Sequence, residues 1–163
     1  IGLNSTGHGY DIAVFGSTNS ISWHPSNNNT TDLGSSTYKF KDLYLNDTIN
    51  ANNLKISSGG NITQATNKST DVILDSRSGK ITLNNSELIN DTIATFTVTN
   101  DKVLAGDVII ATIYSGVNNS EDYLLWGHTI VGGSSFKISV KNISNNPLSE
   151  AIVLNFILLT ATI

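Results

Sequence analysis

The sequence predicts an all-β protein. Charged residues make up 13% of the chain, about half of the usual share, and Asn, Ser, Thr and Gly, which are poor helix formers, take their place. Turn signals are dense, as in SGG at 58–60, SRSG at 76–79 and VGGSS at 131–135. Short runs rich in Val, Ile, Thr, Tyr and Phe lie between these turns, without clear helical periodicity. We therefore expect short strands joined by tight turns.

The overall charge argues against a nucleic-acid partner, and the apolar pattern argues against membrane insertion. The net charge is −4 and the isoelectric point is near 5.1, without a basic run, so no nucleic-acid partner is expected. The longest apolar run, AIVLNFILLTATI at 151–163, contains Asn155 and is too short to span a bilayer as a helix. We expect no membrane insertion. The chain has no Cys, which excludes disulfides, and no Met even at position 1, so we expect a piece of a longer protein.

The two halves of the sequence differ in their density of apolar residues. Residues 1–93 contain short strands separated by Asn, Ser and Gly, and the segments that begin at Asp42 and Asp71 share a loose strand–turn–strand pattern. A repeat of this kind cannot bury its apolar face alone. We predict a β-repeat region over 1–93 and a small antiparallel β-sandwich-like domain over 94–163. The strands predicted in the second region are 95–100, 107–115, 123–131, 134–142 and 151–162.

The predicted strands 123–131 and 151–162 carry apolar residues on both faces. By contrast, SFKISVK at 135–141 alternates between apolar and polar residues. Because a small sandwich has one core, a strand with two apolar faces needs a second cover. We predict that this cover is another subunit. A loop of the same chain that covers a central strand is the alternative. The side chains predicted at the subunit interface are Leu124, Trp126, Leu154, Phe156 and Leu158.

The segment DLGSSTYKFKDLYL, residues 32–45, gives a second indication of assembly. Asp32 and Gly34 favour a tight turn, and Tyr38 and Phe40 then share one face of a strand. This order of turn, aromatic and basic strand, and Asp-Leu-Tyr-Leu resembles a module of bacteriophage tail fibres, tailspikes and related fibres of other large viruses. The stretch from ATFTVTNDKV to SEAIVLNFILL is similar to the small β-domain at the ends of such fibres.

The resemblance implies an elongated homotrimer with a function in virion attachment. Residues 1–93 would form an intertwined β-repeat shaft and residues 94–163 a distal knob. Tyr38 and Phe40 would lie at the subunit interface, where three copies of an aromatic strand make a core that one chain cannot; an ordinary amphipathic edge strand is the alternative. The expected partners are two further copies, the remainder of the fibre and virion, and a glycan or protein on a host cell. The expected location is the exposed, extracellular fibre.

The residues give little support for catalysis. His8, His24 and His128 are far apart in the sequence, and we expect hydrogen-bonded or surface side chains rather than a metal site. The carboxylate pairs Asp71 with Asp75 and Glu121 with Asp122 fit turns and a solvated loop better than glycoside hydrolysis. We therefore expect no enzyme, catalytic residue, cofactor or metal. A tailspike-type polysaccharide depolymerase fragment and a strand-exchanged subunit of a prokaryotic surface filament are the alternative functions.

One loop has the composition of a recognition site. Its Asn and acidic groups suit sugar hydroxyls, and the aromatic residue at its edge suits a ligand platform. The alternative is that the loop only connects two strands and that Trp126, just after it, belongs to the core. The residues predicted to bind the receptor are Asn118, Asn119, Ser120, Glu121, Asp122 and Tyr123.

Overall fold

A computed structural model describes residues 33, 36–45, 48–56 and 59–160. The chain divides into two compact units, one over residues 1–50 and the other over residues 51–163. Each unit is described by itself below. The residues of the fold that position the candidate site all belong to the second unit.

In the first unit, the described residues lie in no strand and their side chains are exposed. Tyr38 is 81% exposed and Phe40 is 64% exposed. The aromatic strand that was predicted to hold these two residues is therefore not formed within the described part of the single chain. The turn predicted at Asp32 and Gly34 falls outside the described residues.

The second unit is a β-sandwich with eight strands in its described residues. The five long strands match the sequence prediction, because short runs of β-branched and aromatic residues lie between turn residues. The hairpin between the sixth and seventh strands turns at Gly133, whose φ of 69° lies in the left-handed region that favours Gly. The strands are β1 (Gly60–Thr63), β2 (Val72–Ile73), β3 (Ser78–Thr82), β4 (Ile93–Thr99), β5 (Asp107–Ser115), β6 (Tyr123–Val131), β7 (Ser135–Asn142) and β8 (Val153–Thr160).

The strands form two four-stranded sheets. The first sheet has the order β1-β3-β8-β5 and the second has the order β2-β4-β7-β6. The pairings of β8 with β3 and β5, and of β7 with β4 and β6, are antiparallel. The pairings β1–β3 and β2–β4 are parallel. Both sheets are therefore mixed, which corrects the prediction of an antiparallel sandwich: the short strands from the first half of the sequence add parallel pairs.

The predicted strand limits agree closely with the structure. The strands predicted at 107–115 and 123–131 have these bounds, and β4 and β7 differ from the predictions by one or two residues at their ends. The last strand begins at Val153, two residues later than predicted, and the last two residues of the prediction lie outside the described part. The strands β1, β2 and β3 precede the predicted boundary at 93/94, yet they are hydrogen-bonded into the same two sheets.

The core lies between the inner faces of the two sheets. Phe136 of β7 contacts Phe156 of β8 across the sandwich, with ring centroids 5.3 Å apart. Gly127 of β6 faces Ile109 of β5 across the sandwich, and a Cβ on Gly127 would collide with that side chain. Other fully buried core side chains are Ile81, Leu83, Phe96, Val98, Val103, Ile138, Val140, Ile152, Leu154 and Leu158.

A β-bulge in β6 changes which side chains face the core. Thr129 has a φ of 51°, and the register with β7 shifts between His128 and Val131. Strict alternation places Ile130 on the face of Leu124 and Trp126, but the extra residue turns Ile130 towards the core. Val131, 53% exposed, then faces outwards.

Candidate functional site

The loop between β5 and β6 presents most of the residues predicted to bind a receptor. It begins at Gly116, whose φ is 81°, and ends in a 3₁₀ helix, Ser120–Asp122. Asn119 caps this helix, since its side-chain oxygen accepts a hydrogen bond from the Glu121 N–H at 3.3 Å. The side chains exposed to solvent are Asn118, Asn119, Ser120 and Glu121, and Asp122 is half-buried.

Tyr123 is placed differently from the prediction. It is only 7% exposed and belongs to the core, and its hydroxyl donates a hydrogen bond to Glu150 Oε2. Burial, then the hydrogen bond and the negative charges of Glu150 and Asp122, raise the pKa of the Tyr123 hydroxyl above its ordinary value. Tyr123 therefore anchors the loop and does not offer its ring to a ligand.

Glu150 and Lys68 hold this loop on the sandwich, and sequence reasoning missed both. Glu150 Oε1 accepts the Asn118 N–H at 2.8 Å. The Lys68 ammonium donates to the Glu150 carbonyl at 2.8 Å, and to the Asn84 and Ser86 carbonyls at 2.7 Å each. Burial lowers the pKa of Lys68, although the Glu150 charge opposes this shift. A lone Lys and Glu 82 residues apart give no sequence signal for such a contact.

The residues predicted at a subunit interface separate into two groups. Leu154, Phe156 and Leu158 are 0%, 3% and 1% exposed, because they face the core of their own chain. They are not available to a partner, which corrects that part of the prediction. The remaining residues, Tyr38, Phe40, Leu124 and Trp126, are exposed or half-buried.

The outer face of the first sheet carries the second apolar surface that the sequence predicted. Exposed fractions are 51% for Val108, 44% for Ile110, 58% for Tyr114 and 41% for Leu159. Ile157 and Val153 of β8 lie half-buried on the same side. We call this surface the apolar face; its members are Val108, Ile110, Tyr114, Val153, Ile157 and Leu159.

A polar row crosses the middle of the apolar face. Asn61, Lys80, Asn155 and Thr112 are paired in register across the four strands. The Lys80 ammonium lies 3.6 Å from the centroid of the Tyr114 ring, a favourable cation–π distance. A groove of about 460 Å³ runs over this row beside Gly60 and Gly79. The face can therefore accept polar as well as apolar groups of a partner.

The outer face of the second sheet holds Trp126 and His128. Their rings lie side by side, with centroids 6.4 Å apart and an interplanar angle of 29°. His128 Nε2 is 2.8 Å from Ser139 Oγ, and Ser139 Oγ is 2.7 Å from Thr95 Oγ1. Trp126 is thus half-buried on the outside of the sandwich and not a core residue. We call the pair of rings, Trp126 and His128, the aromatic shelf.

The first pair of carboxylates considered for catalysis, Asp71 and Asp75, accepts hydrogen bonds from the backbone. Asp71 Oδ1 accepts the Thr97 N–H at 2.6 Å, and Asp75 Oδ1 accepts the Asp101 N–H at 2.9 Å. Among the described residues, no group of three or more His, Cys, Asp and Glu side chains could hold a metal ion. His8 and His24 lie outside the described residues.

Comparison with protein-family models, curated proteins and solved structures found no match to this chain. Over the ranges that the structure covers, no helix has the length and apolar character needed to cross a membrane. The loop at 118–122, the apolar face and the aromatic shelf are therefore the candidate functional surfaces.

Proposed function

We propose that this chain is the distal part of a homotrimeric, phage-type viral fibre that attaches the virion to a glycan or protein on a host surface. The observation that carries the proposal is the apolar face, which a single copy leaves open to solvent, with Tyr114 58% and Val108 51% exposed. Large exposed apolar patches mark sites of association. The resemblance of residues 32–45 to fibre modules supports a threefold assembly.

The apolar face is the proposed subunit contact. Burial of about 500 Å² of additional apolar surface on each copy would contribute roughly 12 kcal/mol before entropy costs. The polar row through Lys80 and Asn155 would fix the alignment of the copies, since unpaired polar groups in an interface are costly. A closed ring of three copies leaves no open contact for further growth.

The loop at 118–122 is a proposed contact with the host. The side chains of residues 118–121 are exposed, while Glu150 and Tyr123 hold the two ends of the loop on the sandwich. Recognition groups commonly lie on loops that a rigid scaffold positions. A single sugar contact at millimolar strength, about −4 kcal/mol, needs several copies for firm adhesion, and a trimer supplies three.

The proposed function has no catalytic step. In this account the chain belongs to the extracellular part of the virion and joins the remainder of the fibre. Its function is to present the same surface three times.

The solution mass of the purified chain tests this proposal against its alternatives. Light scattering at micromolar concentration should give a stable particle of three chains. A monomer of 17.4 kDa would contradict the fibre, and open-ended polymers would support the filament instead.

A further inference from the structure

The surroundings of the aromatic shelf form a connected polar chain on an outer sheet face. Thr95, Ser139 and Trp126 occupy one row across β4, β7 and β6, and Lys137 and His128 are paired in the next row. Ser139 is 2% exposed, although it lies on the outer side, because neighbouring side chains cover it. Thr95, His128 and Thr129 complete the chain of hydrogen bonds with Ser139.

This row of hydrogen-bonded side chains has one more donor proton than it has hydrogen bonds. Thr95, Ser139, neutral His128 and Thr129 supply four protons, one each, but only three hydrogen bonds join them. If His128 carries its proton on Nε2, the free donor is the Thr95 hydroxyl when Ser139 donates to it. If the proton is on Nδ1, the free donor is the Thr129 hydroxyl. In these two arrangements a threonine at an end of the hydrogen-bonded row can donate to a ligand beside the shelf. In the third, with Thr95 donating to Ser139, the donor left is the Ser139 hydroxyl, which is 2% exposed.

Two further features point to a ligand at this place. Thr129 is β-branched and has a φ of 51°, a conformation that costs free energy and occurs more often at functional sites. Its hydroxyl lies 2.8 Å from His128 Nδ1, so the strained residue orients the ring. Lys137, opposite His128, forms no ion pair with the side chains that the structure describes, whereas Lys141 of the same strand is paired with Asp91 at 2.5 Å.

We propose that the aromatic shelf, with the hydroxyls of Thr95 and Thr129 and the ammonium of Lys137, binds a saccharide that carries an acidic group. A sugar ring has an apolar face that fits an aromatic ring and hydroxyls that both donate and accept hydrogen bonds. The carboxylate of a sialic or uronic acid would pair with Lys137. This inference rests on the proposed attachment function and gives its glycan a site on a strand face.

A second copy of the chain fits the shelf less well than a sugar. An apolar surface of a second copy that covered the row of hydrogen-bonded side chains would leave the remaining hydroxyl donor of that row without an acceptor. The proposed subunit contact lies on the other sheet, where the exposed side chains are mainly apolar. In a trimer formed through the apolar face, the shelf of each copy remains open.

An array of immobilised oligosaccharides tests the inference with the full chain as analyte. The array carries neutral hexose oligomers and matched chains that end in sialic or uronic acid. The wild-type chain should bind acidic members, and Trp126→Ala should weaken this binding about tenfold or more. Lys137→Gln, which breaks no ion pair with the side chains that the structure describes, should reduce binding to acidic members and leave binding to neutral ones unchanged.

Leu124→Ala is the matched control, because Leu124 is an exposed apolar residue on the same face, one row from Trp126. It should bind like the wild type. Equal binding by Trp126→Ala and the wild type, or no binding of the wild type to any saccharide, would overturn the inference. Loss of binding in an Asn118→Ala, Glu121→Ala variant alone would place the site in the loop instead.

The mass of each variant separates this inference from the proposed function. If the Trp126→Ala variant remains a trimer but no longer binds saccharides, both the saccharide inference and the fibre proposal are supported. If Trp126→Ala dissociates the trimer, the shelf is a subunit contact and the saccharide inference fails while the fibre proposal stands. If the wild type binds acidic saccharides through Trp126 as a monomer, the fibre proposal fails and the shelf remains a saccharide site.

Discussion

Single polar side chains join segments of the sandwich that are far apart in the sequence. Glu150 accepts hydrogen bonds from Tyr123 and from the backbone of Asn118, which lie at the two ends of the loop at 118–122. Asp107 is paired with Arg77 through two contacts of 2.7 and 2.8 Å. These residues were not singled out from the sequence, because a hydrogen bond between distant residues leaves no periodic pattern.

Tyr123→Phe tests the anchor of the loop. It should lower the free energy of unfolding at pH 7 by about 1–3 kcal/mol, because Glu150 loses a buried donor. The folded pKa of Tyr123 is raised above its ordinary value of 10.0, so its stabilisation is full below pH 10 and is lost as the pH rises through the folded pKa. Urea unfolding at pH 8 and pH 11 should show the difference between wild type and variant shrinking at the higher pH. A constant difference would contradict this account.

Arg77→Gln tests the ion pair between Arg77, which directly precedes β3, and Asp107 at the start of β5. Asp107 has a fully buried side chain, and burial alone would raise its pKa. Hydrogen bonds from Arg77, the Leu104 N–H and Thr160, with the Arg77 charge, outweigh burial and lower the pKa below its ordinary value of 3.8.

The sign of the pH effect follows from that lowered pKa. The stabilisation is present above pH 4 and is lost as the pH falls through the folded pKa. Arg77→Gln should cost about 3 kcal/mol at pH 7, because it leaves a buried carboxylate without its cation. The cost should shrink at pH 2–3 in the same urea titration. Wild-type stability of the variant at pH 7 would show that the pair contributes nothing.

Among the elements, β8 has two apolar faces in different surroundings. Its inner side chains, Leu154, Phe156 and Leu158, are buried in the core, whereas Val153, Ile157 and Leu159 belong to the apolar face. The sequence predicted two apolar faces correctly but could not tell which one the chain itself covers. That choice depends on the register with β3 and β5, which no local pattern specifies.

Phe156→Ala and Ile157→Ala separate the two faces. Phe156→Ala should destabilise the fold by about 3–5 kcal/mol, because it leaves a cavity opposite Phe136. Ile157→Ala should leave the unfolding of an isolated chain nearly unchanged, while it weakens assembly. Chemical denaturation and concentration-dependent mass measure the two effects. Equal loss of fold stability in both variants would place both side chains in one core.

How far the sequence predicts the elements depends on their length. The long strands β5 and β6 were predicted with their observed bounds, because their β-branched and aromatic runs end at clear turns. The two-residue strand β2 and the parallel pairs were not predicted, since short strands owe their pairing to the rest of the sheet. The bulge at Thr129 was also missed, because its positive φ contradicts the preference of a β-branched residue.

At the scale of the whole molecule, the second unit presents three candidate surfaces. The apolar face lies on the first sheet, and the aromatic shelf lies on the second. The loop at 118–122 connects the two sheets. The all-β class could be predicted from composition and turns, but the location of the candidate surfaces could not, because it depends on which outward side chains remain uncovered after folding.

The central claim is that the apolar face is the subunit contact of a homotrimer. Comparing the solution masses of Ile110→Asp and Leu124→Asp tests this claim most directly. Both leucine and isoleucine are exposed in the single chain, 52% and 44% respectively, so neither change should unfold it. By light scattering, the wild type and Leu124→Asp should give about 52 kDa, three times the chain mass of 17.4 kDa. Ile110→Asp should give a folded monomer, because its new charge would be buried in the subunit contact without a partner. A monomeric wild type, or a trimer that Ile110→Asp leaves intact, would contradict the account.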